Sequence, residues 1–168
     1  MATIRPERQT DIPELRTRAI SAFKDAPYLD GIEADIIDVL RETGHLFLSL
    51  VAEIDGAIVG NIVLSPITID GKNCGWHGLG PLWVSTDARG KGIATALVAA
   101  GLEQSKQRGS KGCATVGDHG FYGRFGLQAL AGLHLIGAPA RNFLCLSHSD
   151  PHPTGEVVFQ DVFYSAHT

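Results

Sequence analysis

The chain has 168 residues, 44% hydrophobic and 19% charged, with a formal net charge of -4 and a sequence pI near 5.9. This length suits one domain with a proper core, spanning residues 1–168, and the composition excludes a disordered chain and gives no sign of a nucleic-acid partner. No apolar run nears the roughly 18 residues that span a bilayer, and no signal-peptide core is visible, so a cytoplasmic protein without a membrane partner is expected.

The predicted elements begin with a short strand at Ile4-Arg5-Pro6. Asp11 then reads as a helix N-cap, with Pro13 in the first turn and Glu14 completing a capping-box-like pair. Ile12, Leu15, Ala19 and Phe23 fall on one face at helical spacing. Asp25-Ala26-Pro27-Tyr28 breaks that helix. Asp30 and Glu33 repeat the capping pattern before a second stripe of Ile32, Ile36, Ile37 and Leu40, which Gly44 ends. Leu46 to Ile54 and Ala57 to Ile69 read as two strands joined by an Asp55-Gly56 hairpin turn. Asp70-Gly71 is a second turn, and a third strand covers Cys74 to Val84. These three form an antiparallel meander.

A helix from about Gly92 carries Ile93, Leu97, Val98, Gly101 and Leu102 inward, and Gly109 closes it. Cys113 to Val116 follows too closely to be anything but the parallel return of a βαβ unit. A helical turn is predicted over Phe121 to Arg124, then strands at Leu133–Ile136, Phe143–Leu146 and Val157–Phe163. The fold class is mixed α/β (α+β): a central, mostly antiparallel sheet with helices on both faces. Cys74, Cys113 and Cys145 lack a paired spacing and read as reduced, small core hydrophobes.

The segment Ala88-Arg89-Gly90-Lys91-Gly92-Ile93-Ala94 carries the most chemistry. It joins an apolar strand to a helix start, where backbone N–H groups and the helix dipole favour an anion and glycine lets the backbone come close. A P-loop is excluded because no Ser or Thr follows Lys91 and the upstream glycine is missing. A dinucleotide fingerprint fails at its last position, which is Thr95, and the preceding strand ends a meander rather than opening a βαβ unit. Arg/Gln-x-x-Gly-x-Gly/Ala fits Arg89, Gly92 and Ala94.

At this place in the strand order, that pattern resembles the GNAT superfamily of acyl-coenzyme A-dependent N-acyltransferases. The opening strand and helix, the hairpin from Leu50 to Gly60, the stretch from Leu79 to Leu97, and Phe121-Tyr122-Gly123-Arg124-Phe125-Gly126-Leu127 resemble successive family motifs. The set looks closest to bacterial stand-alone N-acetyltransferases, and the match loosens after about Leu130. The resemblance implies acetyl-CoA as cosubstrate, with its pyrophosphate on the backbone of Arg89, Gly90, Lys91, Gly92, Ile93 and Ala94. Pantetheine would run along Leu82, Trp83 and Val84, where the parallel strand pair splays. Pro81 supports a bulge or splayed edge there, because proline cannot donate to a ladder.

Acetyl transfer to an amine needs a proton acceptor for an amine of pKa about 10.4, donors for the oxyanion, and a proton for a thiolate whose thiol pKa is about 8.5. Tyr122 fits the family's tyrosine near the cofactor sulfur and is the general-acid candidate. The backbone N–H near Val84 is the oxyanion candidate. Gly75 to Val84 contains no carboxylate, so the base candidates are His77 and His119, with a water chain to solvent as the alternative. Glu53 reads as a solvent-facing strand residue. Arg124 reads either as a phosphate or ribose contact or as a surface residue.

Cys145, His148 and His152 lack a second cysteine pair, so no metal is expected. No Gly-x-Ser-x-Gly elbow exists, which excludes a hydrolase triad built on Asp118, His119 and Ser110. The expected activity is acetyl-CoA-dependent N-acetyltransfer to a small-molecule or peptide amine in a ternary complex. Asp25, Tyr28 and Asp30 could greet the amine or stand as solvated loop residues, and a homodimer stays open. The rival reading is an acyl-CoA-binding sensor or regulatory module of the same fold, which the missing carboxylate base supports.

Overall fold

The computed structural model describes residues 1–24 and 32–165. Strand β1 (Thr3–Pro6) leads through a 3-10 turn to α1 (Ile12–Lys24), and α2 (Glu33–Glu42) follows. Strands β2 (Leu48–Ile54), β3 (Ala57–Pro66), β4 (Thr68–Ile69) and β5 (Trp76–Val84) come next, then α3 (Ile93–Gln107) and β6 (Gly112–Val116). The remainder holds α4 (His119–Tyr122), β7 (Leu133–His134), β8 (Phe143–Ser147), β9 (Gly155–Val158) and α5 (Val162–Ser165).

Six strands form the main sheet in the order β1-β2-β3-β5-β6-β8, and a small sheet has the order β4-β9-β7. Every main-sheet pair is antiparallel except β5–β6. The two hairpin turns form as their residues predict: Asp55 and Gly56 have φ of 49° and 80°, and Asp70 and Gly71 have 51° and 75°. Asp and Gly tolerate this left-handed backbone, which side chains branched at Cβ do not.

Helices cover both faces. Leu15, Ala19, Phe23, Ile36, Ile37 and Leu40 of α1 and α2 pack with Val51, Ile58, Val63 and Trp83 of the sheet. On the other face, Ile93, Leu97, Val98 and Leu102 of α3 pack with Leu50, Ile62, Leu64, Leu79 and Val84. A third cluster, including Ile67, Ile69, Trp76, Cys145 and Val157, joins the small sheet to the main one.

Four elements differ from their sequence reading. The strand read as Ala57 to Ile69 ends at Pro66; Thr68–Ile69 leaves the main sheet to pair with β9. The strand read as Val157 to Phe163 stops at Val158 and the chain closes in α5, because Phe159 turns onto the bare backbone of Gly78 instead of extending a ladder. The helical turn begins at His119, two residues before Phe121. The Asp11 carboxylate serves Arg5, at 2.8 Å and 3.0 Å, and the N–H of Arg8 at 2.7 Å. It therefore ties β1 to the 3-10 turn. Asp25, Tyr28 and Asp30 lie outside the described residues.

Candidate active site

The site is built on the second half of β5. Trp76, His77 and Gly78 pair with Gly112, Cys113 and Ala114 of β6, and the recorded pairing goes no further. On its other side β5 stays with β3 as far as Val84, opposite Gly60. Between Leu79 and Leu82 the register with β3 shifts, since three steps on β5 face the two from Leu64 to Ile62. Gly80, at φ 130°, and Pro81 occupy this bulge. Pro81 cannot donate, so the extra residue falls where the ladder has least to lose.

The register also fixes which backbone groups face the gap. The Ser85 N–H donates to Val59 O at 2.8 Å, which makes Gly60–Val84 a non-hydrogen-bonded pair. Leu82 and Val84 therefore turn their N–H and C=O away from β3, toward the open edge. The Val84 carbonyl is taken by Arg89 Nε at 3.2 Å, leaving Leu82 N–H, Leu82 C=O and Val84 N–H on that edge. Trp83 is placed differently from its two neighbours. Alternation points its backbone groups at β3, and its side chain is buried in the α1–α2 cluster, so it offers the open edge nothing.

The turn after β5 forms an open cavity of about 190 Å³ lined by Val84, Ala88, Arg89, Gly90, Gly92, Ile93, Ala94 and Thr95. Gly90 and Gly92 have φ of 80° and 76°, and a Cβ on either would meet nothing within 4 Å. The glycines are therefore needed for conformation and access, not for packing. Among the described residues, the N–H groups from Gly90 to Thr95 have no acceptor, and the first intrahelical bond runs from Ala96 N–H to Gly92 O at 3.1 Å. Six consecutive donors thus stand at the positive end of a 15-residue helix.

Arg89 and Arg124 frame this cradle differently. The Arg89 guanidinium holds Val84 O and, from Nη2 at 3.2 Å, Ala22 O in the last turn of α1. It braces the turn against α1. Arg124 donates to Thr95 Oγ1 at 3.3 Å and rides over the rings of Phe121 and Phe125, 5.0 Å and 5.7 Å from their centroids. Its charge therefore lies beside the first turn of α3. Lys91 is exposed on the turn itself.

Tyr122 ends α4 and packs edge-to-face on Phe121, with centroids 4.9 Å apart. Its ring rests on Gly117, where a Cβ would come within 2.4 Å of it. Burial pushes the phenol above its ordinary value, with the Thr115 hydroxyl pulling the other way. Thr115 Oγ1 in turn donates to Leu79 O at 2.8 Å, where β5 and β6 part. Sequence reasoning passed over Thr115 and Gly117; the available signals were one hydroxyl in an otherwise apolar strand and a glycine just beyond its end.

The histidines fall in different settings. His77 lies in the paired half of β5, 6% exposed, stacked on Phe47 with centroids 3.7 Å apart, and its Nδ1 is 2.7 Å from Ser110 Oγ. Burial lowers its pKa to about 4, so it is neutral near pH 7. His119 is exposed at the start of α4, its ring against Gly123. Glu53 is bound to Arg5 at 2.9 Å rather than left to solvent. Cys145 is buried in β8, while His152 Nε2 pairs with Ala131 O at 2.8 Å. Among the described residues, no group of three or more His, Cys, Asp or Glu side chains is placed to hold a metal ion. No described helix is long and apolar enough to cross a membrane.

A sheet forked between its one parallel pair, with a donor-lined turn and helix start beside the fork, is the architecture of an acyltransferase. The chain belongs to the acetyltransferase (GNAT) family, whose model matches residues 10–127. It is 37% identical over 117 residues to the N-acetyltransferase YhbS of Escherichia coli K12, covering 64% of this chain and 70% of that protein. Crystallised YhbS from Escherichia coli in complex with CoA superposes with a TM-score of 0.88 at 32% identity, covering 96% and 91% of the two chains. A GNAT acetyltransferase from Brucella melitensis in complex with acetyl-CoA gives a TM-score of 0.86 at 38% identity, covering 97% and 98%.

Proposed function

We propose that the chain binds acetyl-CoA and transfers its acetyl group directly to a primary amine, without a covalent enzyme intermediate. The observation that carries this reading is the fork itself. Unpaired backbone groups of Leu82 and Val84 lie on its β5 side, the Tyr122 ring rests on Gly117 just past the end of β6, and six free N–H donors stand at its mouth. The complexes of the Brucella protein with acetyl-CoA and of YhbS with CoA support the donor.

Bound acetyl-CoA supplies a thioester carbonyl, the electrophile. The N–H groups of Gly90 to Thr95 hold its diphosphate, with Arg124 and Lys91 adding positive charge. The open edge at Leu82 accepts the amide-bearing pantetheine arm as it would an added strand. Val84 N–H faces the developing oxyanion, and Tyr122 holds a proton for the departing sulfur. Of the two histidines, His119 is exposed at the start of α4, whereas His77 is locked in the core by Phe47 and Ser110. The amine proton leaves through water, with the exposed His119 on α4 as the side-chain candidate.

The acceptor is a small-molecule or peptide amine that enters on the α1–α2 side. The test is release of CoA thiol from acetyl-CoA with a broad panel of amines, beside calorimetry with CoA. Turnover with at least one amine is the expected result. Tight CoA binding without release across the panel would favour a sensor of the same fold, and no CoA binding would sink the donor assignment. Tyr122→Phe should lower kcat by about 100-fold and leave CoA affinity within about twofold, the pattern of a lost general acid. A large loss of affinity would instead make Tyr122 part of the cofactor site.

A further inference from the structure

Strand β9 has two unlike faces. Val157 turns into the core of the small sheet and is 1% exposed, so alternation turns Glu156 and Val158 outward. Leu135 and Ile136 continue from β7 beside them, and α5 returns the chain so that Tyr164 joins them. These side chains line an open groove of about 360 Å³. Its apolar surface is bare: Ile136 is 73% exposed and Tyr164 43%. The Tyr164 hydroxyl is already used, accepting the Phe159 N–H at 3.0 Å, which holds the ring in place. Glu156 is the unspent polar group. Its side chain is half-buried, and among the described residues it has no hydrogen-bond or ion-pair partner. His134, opposite it in register, makes no pair with it. Asp70 adds to the negative charge, its carboxylate accepting the Glu156 N–H at 2.8 Å.

We propose that this groove binds an organic ammonium ion, a protonated amine carried on a hydrocarbon chain or ring. The ammonium pairs with the Glu156 carboxylate beside the Tyr164 ring, whose face attracts a cation. The hydrocarbon lies on Leu135, Ile136 and Val158. An uncharged apolar guest would cover the carboxylate without pairing it, and a second copy on the same face would bring two such carboxylates into one apolar interface. A cation with an apolar body meets both demands, and an amine of pKa about 10.4 is in that form near pH 7. The groove joins the fork through Phe159. Its N–H is held by Tyr164, and its ring lies on Gly78, the last residue of β5 paired with β6. Binding here needs no acetyl-CoA and stands apart from the acetyl-transfer reading.

The test is a titration of the full-length protein, without acetyl-CoA, followed by amide NMR. The probes are butylammonium, hexylammonium and 1-hexanol. Saturable shifts are expected at Leu135, Ile136 and Glu156 to Val158, with hexylammonium about tenfold tighter than butylammonium for its two further CH₂ groups. Glu156→Gln, which breaks no bond within the protein, should weaken hexylammonium by about fivefold and leave hexanol unchanged. Ile136→Ser, at an exposed position, should weaken both by about threefold. Equal affinity for hexanol and hexylammonium, or a Glu156→Gln protein that binds as the native one does, would overturn the proposal. So would shifts confined to β5 and α4, which would place the amine in the fork instead. A dimer in sedimentation that Ile136→Ser splits into monomers would give the groove to a second copy and overturn it too.

Discussion

From Trp76 to Gly78, strand β5 is flanked by β3 and β6; from Leu82 to Val84 it keeps only β3. The two halves, Trp-His-Gly and Leu-Trp-Val, differ in what their free backbone groups meet. In the closed half a titratable side chain, His77, is packed and hydrogen-bonded until it has no proton chemistry left near pH 7. In the open half the free polar groups belong to the backbone of Leu82 and Val84, which cannot titrate away and are fixed by the register. The contrast teaches that a fork in a sheet creates binding capacity from main chain alone.

The largest effect on the open half should come from Gly92→Asp. It puts a carboxylate among the donors of the cradle, and a like charge facing a diphosphate costs several kcal/mol. CoA affinity by calorimetry should fall by about 100-fold. The left-handed backbone at φ 76° should cost only about 1 kcal/mol of stability, so the folded fraction should stay near complete. Unchanged CoA binding would detach the anion site from this turn and erase the functional difference between the halves.

A smaller effect is expected of Arg124→Ala. The guanidinium is held at Thr95 by a 3.3 Å hydrogen bond and by two aromatic rings, so its loss should weaken CoA by about tenfold without changing kcat. Dephospho-CoA and CoA losing affinity equally would assign it to the diphosphate; a loss confined to CoA would move it to the ribose phosphate.

What could be read in the sequence follows the range of the forces involved. The Asp55-Gly56 and Asp70-Gly71 turns were legible because their backbone angles are a property of those residues alone. The bulge was legible because Pro81 lacks a donor wherever it is placed. The splitting of the second strand at Pro66 was not, since Thr68 and Ile69 find partners about 90 residues further on, at Val158 and Val157. Thr115 was illegible for the same reason: its acceptor is Leu79, and only the folded sheet makes the two neighbours. Asp11 satisfies every local rule for a cap, yet the charge of Arg5 draws its carboxylate elsewhere.

The closed half makes the last prediction, the smallest in its effect on catalysis. His77 has a folded pKa of about 4 against about 6.5 when unfolded. Between these values the unfolded chain binds a proton that the native state refuses, so stability rises with pH across that window. The contribution is complete above pH 6.5 and is lost as pH falls toward 4, with an upper size of about 3 kcal/mol. Thermal melts of the native protein should therefore fall in Tm from pH 6.5 to pH 4. His77→Gln should flatten that part of the profile, lower Tm at neutral pH through the lost Phe47 stack, and keep kcat within about twofold. A large loss of kcat in a folded His77→Gln protein would bring the closed half into the chemistry, and the division of labour along β5 would have to be redrawn.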